Sequence, residues 1–254
     1  MKGLKINHLT TGYRKKLIIE DLNLNTIPRG EVTTLLGPNG CGKSTLMRAL
    51  AGLNDSSGDI VLDEINLSKI AFSQRSKKVV YLPQSLPSGI HLMVLESIMV
   101  AQRVTSNKSF SQDEIMQLLK KLGIEHLAFS FLDELSGGQK QLAGLAQSLI
   151  RAPDILLLDE PLSALDINHQ FHVMDLVKKE TIERNLITVI VVHDINIALR
   201  HSDYIVMMKD GKLVAQGKPF DVITPQNLSE VYGIKGRIEC CTKGYPFVIV
   251  DGVN

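Results

Sequence analysis

The sequence predicts an α/β fold built on a parallel sheet, and three observations carry the prediction. Four short, near-continuous apolar runs each end in glycine or polar residues. Residues 32–36 lead into Gly37, residues 79–82 into Pro83 and Gln84, residues 155–158 into Asp159 and Glu160, and residues 187–192 into His193 and Asp194. Runs of this length without alternation fit strands buried on both faces. Segments of helical period lie between them, for example 171–184, and strands alternating with helices imply an α/β architecture. The polar terminations recur at the end of each run. Ligands of such sheets sit at the carboxyl ends of the strands, so all four terminations are expected on one edge.

The remaining elements follow in chain order. Residues 4–35, with 58–67, carry short strand-like runs broken by turn residues and predict a smaller antiparallel sheet. A helix is expected from about 43 to 50. Residues 91–150 read as mostly helical, with Ile115, Leu118, Leu119 and Leu122 at helical spacing. Inside that region the polar stretch 105–111 is expected to be a loop. Ser136 is a good N-cap for a helix over 140–150, where Leu142, Leu145, Ala146, Leu149 and Ile150 share one face. Lys209, Asp210, Gly211 and Lys212 form a hairpin signal between 204–208 and 213–216. A short helix around 225–232 and a β-like tail close the chain.

Composition removes several function classes. A chain of 254 residues can bury a sizeable core. Its 28 basic and 27 acidic side chains leave a formal charge of +1, which argues against a basic nucleic-acid binder and an acidic disordered tail. No run approaches the ~18 apolar residues of a membrane helix, and residues 1–13 are polar and mixed, with no visible signal peptide. Cys41, Cys240 and Cys241 show no framework spacing, so reduced thiols are expected, the last two as reduced neighbours.

Gly37, Pro38, Asn39, Gly40, Cys41, Gly42, Lys43, Ser44 and Thr45 fit the spacing of a P-loop. The glycines let backbone N–H groups turn inward around a phosphate, and the next helix points its positive end at the same anion. Lys43 is expected to reach the β- and γ-phosphates of ATP, and the Ser44 hydroxyl to ligate Mg²⁺. Cys41 reads as a small filler. The loop resembles that of the P-loop NTPases, and the resemblance implies a RecA-like core with the antiparallel sheet and the helical region as subdomains. A second possible anion site lies at Ser136, Gly137, Gly138 and Gln139, where a capped helix starts behind accessible N–H groups. An ordinary capped helix explains the same residues.

The stretch Leu135, Ser136, Gly137, Gly138, Gln139 resembles the signature motif of the ATP-binding cassette family, and other motifs follow in that family's order. The run ending in Asp159 and Glu160 resembles its Walker B strand, and Ser163, Ala164, Leu165, Asp166 its D-loop. Gln84 matches the Q-loop, His193 the switch histidine and Tyr13 the A-loop aromatic. Lys140, Leu142 and Leu162 depart from residues common in the family without removing a reactive group. The resemblance implies that Asp159, with Ser44 and Gln84, holds Mg²⁺. Glu160 would polarise the attacking water, Gln84 would sense metal and water, and His193 would bond the γ-phosphate. Tyr13 would stack on adenine. It also implies head-to-tail pairing with a second copy, in which Ser136, Gly137, Gly138 and Gln139 close over the partner's ATP and Asp166 links the two sites.

The same resemblance implies one cassette over 1–254. Its core and β subdomain span about 1–88 and 151–236, its helical subdomain 89–150, and a tail 237–254. The expected role is the ATPase of a membrane importer, peripheral at the cytoplasmic face, beneath two transmembrane permease subunits served by an extracytoplasmic solute-binding protein. Nucleic acid is not an expected partner, since only 116 residues (159 − 43) separate Lys43 from Asp159. That leaves room for the helical subdomain alone. Residues 165–170, the His193 to Arg200 segment and the ending with Val231, Tyr232 and Gly233 resemble importers of ferric siderophores, haem and cobalamin. Iron(III)-siderophore is the first expectation. Haem, cobalamin or a metal ion is the alternative, and an exporter or a cassette protein outside transport stands behind them.

Overall fold

The computed structural model describes residues 2–13, 16–87, 89–105 and 110–254. In order, the elements are β1 (Gly3–Tyr13), β2 (Lys16–Pro28), β3 (Glu31–Leu36), α1 (Lys43–Ala51), β4 (Ser56–Leu62), β5 (Ile65–Asn66), α2 (Phe72–Lys78) and β6 (Val79–Leu82). Then come α3 (Val94–Thr105), α4 (Gln112–Lys121), α5 (Gly137–Ile150), β7 (Ile155–Asp159), α6 (Ile167–Glu183), β8 (Ile187–Val191) and α7 (Ile195–His201). The chain ends with β9 (Tyr204–Lys209), β10 (Lys212–Gly217), α8 (Pro219–Val222), α9 (Pro225–Tyr232), β11 (Ile234–Cys240) and β12 (Pro246–Val253).

A six-stranded sheet in the order β10-β9-β3-β8-β7-β6 forms the centre. Strands β9, β3, β8, β7 and β6 run parallel, and only β10 is antiparallel to its neighbour. Every residue of β7 and β8 is buried, which explains their unbroken apolar sequences. The alternating pleat divides the core in two. Val80, Leu82, Leu156, Leu158 and Ile190 face α5 and α6, whereas Val79, Ile155, Leu157, Val189 and Val191 face α1 and the smaller sheet. The four polar strand terminations therefore meet at one edge, as expected.

The smaller sheet, in the order β2-β1-β4-β5, is antiparallel. Its first segment ends at Pro28, and residues 31–35 are not part of it, which corrects the expected span. They lie in β3, paired in parallel with β8 and β9. Gly30, at φ 74°, makes the turn between the sheets, and the β-branched Thr33 and Thr34 are wholly buried in the central one. Arg29 locks this junction. Its guanidinium donates to Asp63 at 2.9 Å and to Asp154 at 3.1 Å, tying the β4–β5 turn to the start of β7. The Arg29 hydrogen bond holds the Asp63 carboxyl below the usual carboxylate range.

The region 91–150 is mostly helical, with α3 and α4 packed on α5. Thr105 closes α3 and Ser111 caps α4, while 106–109 of the expected loop lie outside the described residues. The helix expected over 43–50 extends to Ala51 and stops at Gly52 in the left-handed region. The segment expected over 171–184 begins earlier, at Ile167, because Asp166 caps it. The Asp210-Gly211 turn joins β9 to β10, and the tail is the β11–β12 hairpin. That hairpin docks on α7, where the Val248 N–H donates to Asn196 Oδ1 at 2.7 Å and Arg200 stacks on Tyr245 at 4.2 Å. Cys240 and Cys241 are free and exposed on it. Among the described residues no helix is long and apolar enough to cross a membrane.

Candidate nucleotide site

The glycine loop between β3 and α1 is shaped by backbone requirements. Gly40 and Gly42 have φ of 78° and 105°, a region other residues enter only under strain. Gly37 has no room for a side chain, because a Cβ there would come 2.2 Å from the Met208 carbonyl oxygen. The loop is fastened from outside as well. The Gly211 N–H at the β9–β10 turn donates to the Cys41 carbonyl at 2.9 Å. Cys41 itself is buried, and burial pushes its thiol pKa up, consistent with a filler. Lys43 is buried with its ammonium inside the loop, donating to the Gly37 carbonyl at 2.7 Å and the Pro38 carbonyl at 2.9 Å. Asn39, Gly40, Gly42, Lys43, Ser44 and Thr45 line an open cavity of about 400 Å³. Gln84, Glu160 and His193 line the same cavity.

Asp159 ends β7 on the sheet face that carries α1. Its carboxylate is 1% exposed and accepts from Ser44 Oγ at 3.2 Å and from the Tyr81 hydroxyl at 2.9 Å. Burial raises its pKa, with Ser44 and Tyr81 working against that rise. Burial pushes the Tyr81 phenol up too, next to Asp159. A buried carboxylate 3.2 Å from a hydroxyl is a pair of hard oxygen donors, which suits Mg²⁺.

Glu160 has left β7 at φ 53°, so its side chain turns away from the Asp159 face and over the cavity. Gln84 Nε2 donates to Glu160 Oε2 at 2.6 Å. His193 Nε2 lies 2.8 Å from Glu160 Oε1. The ends of β6, β7 and β8 thus converge on one carboxylate. The arrangement can hold a polyphosphate along the loop and aim a carboxylate at its far end.

The structure does not bring every expected residue to this cavity. Tyr13, more than half exposed, lines a neighbouring depression of about 530 Å³ with Arg48, Leu53 and Asn54. Ser136, Gly137, Gly138 and Gln139 are at the start of α5, where Ser136 and Gln139 form a reciprocal capping box. None of them lines the cavity of its own chain. Gly138 instead abuts the 163–165 segment, and a Cβ there would come 2.7 Å from the Ala164 carbonyl oxygen. Asp166 caps α6, accepting from the His169 N–H and pairing with its ring Nδ1, both at 2.9 Å. Those bonds lower its pKa.

Four residues at or near the site carry no motif in the sequence. Ile18 of β2 lines the cavity. Tyr81 sits on Asp159, and Arg48 donates to Asn54 in the adjoining depression. Gln141 of α5 donates to the Glu160 carbonyl at 3.2 Å and to Ser163 Oγ at 2.9 Å. The one available signal is that Tyr81 is a polar residue inside the otherwise apolar run 79–82.

The model of the ABC transporter family matches residues 19–163. The chain is 36% identical over 244 residues to a Bacillus subtilis protein named as a probable siderophore transport system ATP-binding protein, covering 94% of this chain and 88% of that one. It is 38% identical over 247 residues to the petrobactin import ATP-binding protein of Bacillus anthracis, with coverage of 94% and 88%. A solved structure described as a metal-chelate type ABC transporter, inward-facing, superposes with a TM-score of 0.81. It covers 100% of this chain and 98% of that chain at 24% identity, a likeness of fold. Cavity, fold and relatives agree: the chain belongs to the ABC transporter family, as a nucleotide-binding subunit whose ATPase activity is coupled to transport.

Proposed function

We propose that this chain is the ATPase of an importer of iron(III)-siderophores. The observation that supports its chemistry best is the Glu160 carboxylate held between Gln84 and His193 above the P-loop. The siderophore reading is supported by the relatives named above, whose cargo this subunit would drive without touching.

ATP would lie along residues 37–45, with Tyr13 against its base. Lys43 exchanges its two carbonyl partners for phosphate oxygens. Ser44 and Asp159, with Gln84, would hold Mg²⁺, which when bound supplies charge neutralisation on the phosphates. Glu160 orients the attacking water and accepts its proton, and His193 bonds the γ-phosphate. Ser136, Gly137, Gly138 and Gln139 of a second copy complete the site head to tail, and Asp166 connects the two sites. This pairing is supported by the distance of α5's start from its own cavity. The subunits that complete the transporter would be two permeases in the membrane, with the cassettes at its cytoplasmic face and a solute-binding protein outside. Nucleic acid has no part. The core and β subdomain would span 1–88 and 151–236, the helical subdomain 89–150 and the tail 237–254.

The test is the assembled complex in lipid, given its binding protein loaded in turn with ferric hydroxamate, ferric catecholate, haem, cobalamin or a free metal ion. Stimulation of ATP hydrolysis by a ferric siderophore alone is expected. Stimulation by haem, cobalamin or metal ion alone would replace the substrate and leave the ATPase.

A further inference from the structure

Tyr81 and Asp159 lie on adjacent parallel strands and on one face of the sheet. Tyr81 pairs with Leu157 in register, and Asp159 is two residues further on. Their side chains meet where β6 and β7 end beneath α1, with the phenol donating to Asp159 Oδ2 at 2.9 Å. The other oxygen, Oδ1, accepts from Ser44. A carboxylate so bonded at both oxygens has one orientation. Arg48 Nε donates to Asn54 Oδ1 at 3.0 Å, and Asn54 Nδ2 donates to the Gly12 carbonyl at 3.3 Å.

We infer that Tyr81 is a positioning residue that pins the Asp159 carboxylate so that Oδ1 faces Ser44. The inference rests on the reading of Asp159 and Ser44 as the Mg²⁺ seat. Residues that orient a metal ligand from behind commonly change metal affinity when altered. Tyr81→Phe removes one hydroxyl and keeps the ring.

The experiment measures Mn²⁺ binding by electron paramagnetic resonance at saturating ATP in the full chain, for wild type, Tyr81→Phe and Asp159→Asn. ATP binding in chelator, followed by a fluorescent analogue, is measured beside it. For Tyr81→Phe, Mn²⁺ affinity is expected to fall about ten- to hundredfold, with metal-free ATP binding unchanged. Unchanged Mn²⁺ affinity in Tyr81→Phe, while Asp159→Asn loses it, overturns the role of Tyr81 and spares the metal seat. Unchanged affinity in Asp159→Asn overturns the seat itself. A parallel loss of metal-free ATP binding in Tyr81→Phe reduces the hydroxyl to a structural bond and overturns the inference.

Discussion

The Gln141 side-chain amide donates across 3.2 Å to the Glu160 backbone carbonyl, so the helix that starts behind Ser136 is bonded directly to the turn carrying the candidate base. The same amide accepts from the Ala164 N–H at 3.1 Å and donates to Ser163. These bonds join α5 to Glu160 and to the segment leading to Asp166. In a head-to-tail pair, contact with the partner's nucleotide at Ser136 would be felt at this chain's own carboxylate.

Glu160→Gln keeps shape and hydrogen-bonding capacity but loses the proton acceptor. ATP hydrolysis is expected to fall by about 10²- to 10⁴-fold while ATP binding persists. Light scattering is expected to show a stable dimer in ATP. Undiminished turnover would remove Glu160 from its assigned role.

Ser136→Ala breaks the capping box of α5, which costs about 1 kcal/mol of stability. A cap alone would show only in the melting temperature. If Ser136 also meets a partner's phosphate, hydrolysis falls about a hundredfold while ATP affinity of the monomer stays the same. Turnover and melting, measured on the same preparation, separate the two roles.

For Tyr13→Ala, ATP affinity is expected to drop roughly tenfold through lost stacking, with the fold intact by circular dichroism. Unchanged affinity would leave Tyr13 as a packing residue of the depression it shares with Arg48 and Asn54, and would make Ile18 the nearer candidate for the base.

Asp159 gives a pH dependence of defined sign. Its folded pKa is raised by burial, so it costs stability once ionised. That cost is absent below the ordinary carboxylate pKa of 3.8 and is complete above the raised folded value. Asp159→Asn is therefore expected to melt above wild type near pH 7, with the gap closing as pH falls toward 4. A gap independent of pH, read by differential scanning fluorimetry without nucleotide, would contradict the account.

The central sheet and the catalytic edge were legible because burial on both faces forces apolar runs, and chemistry forces polar residues where those runs stop. Gly37, Gln84, Asp159, Glu160 and His193 all stand at such stops. The division of strands between sheets was less legible, since only the two-residue turn Arg29-Gly30 separates β2 from β3 and the expected span of the smaller sheet ran on to residue 35. The start of α6 was hidden by Ile167, an apolar residue that is 74% exposed and breaks the period. Tyr81, Arg48 and Gln141 escaped because their importance lies in which strand or turn they reach across space.

The left-handed backbone at Glu160 sets stability against work. A side chain there costs on the order of 1 kcal/mol, and glycine would escape the charge altogether. If Glu160 is the base, selection for heat tolerance alone would drift toward glycine at position 160 and fill a library with sturdy, silent proteins. Any search for hardier forms of this motor has to screen for turnover at the same time.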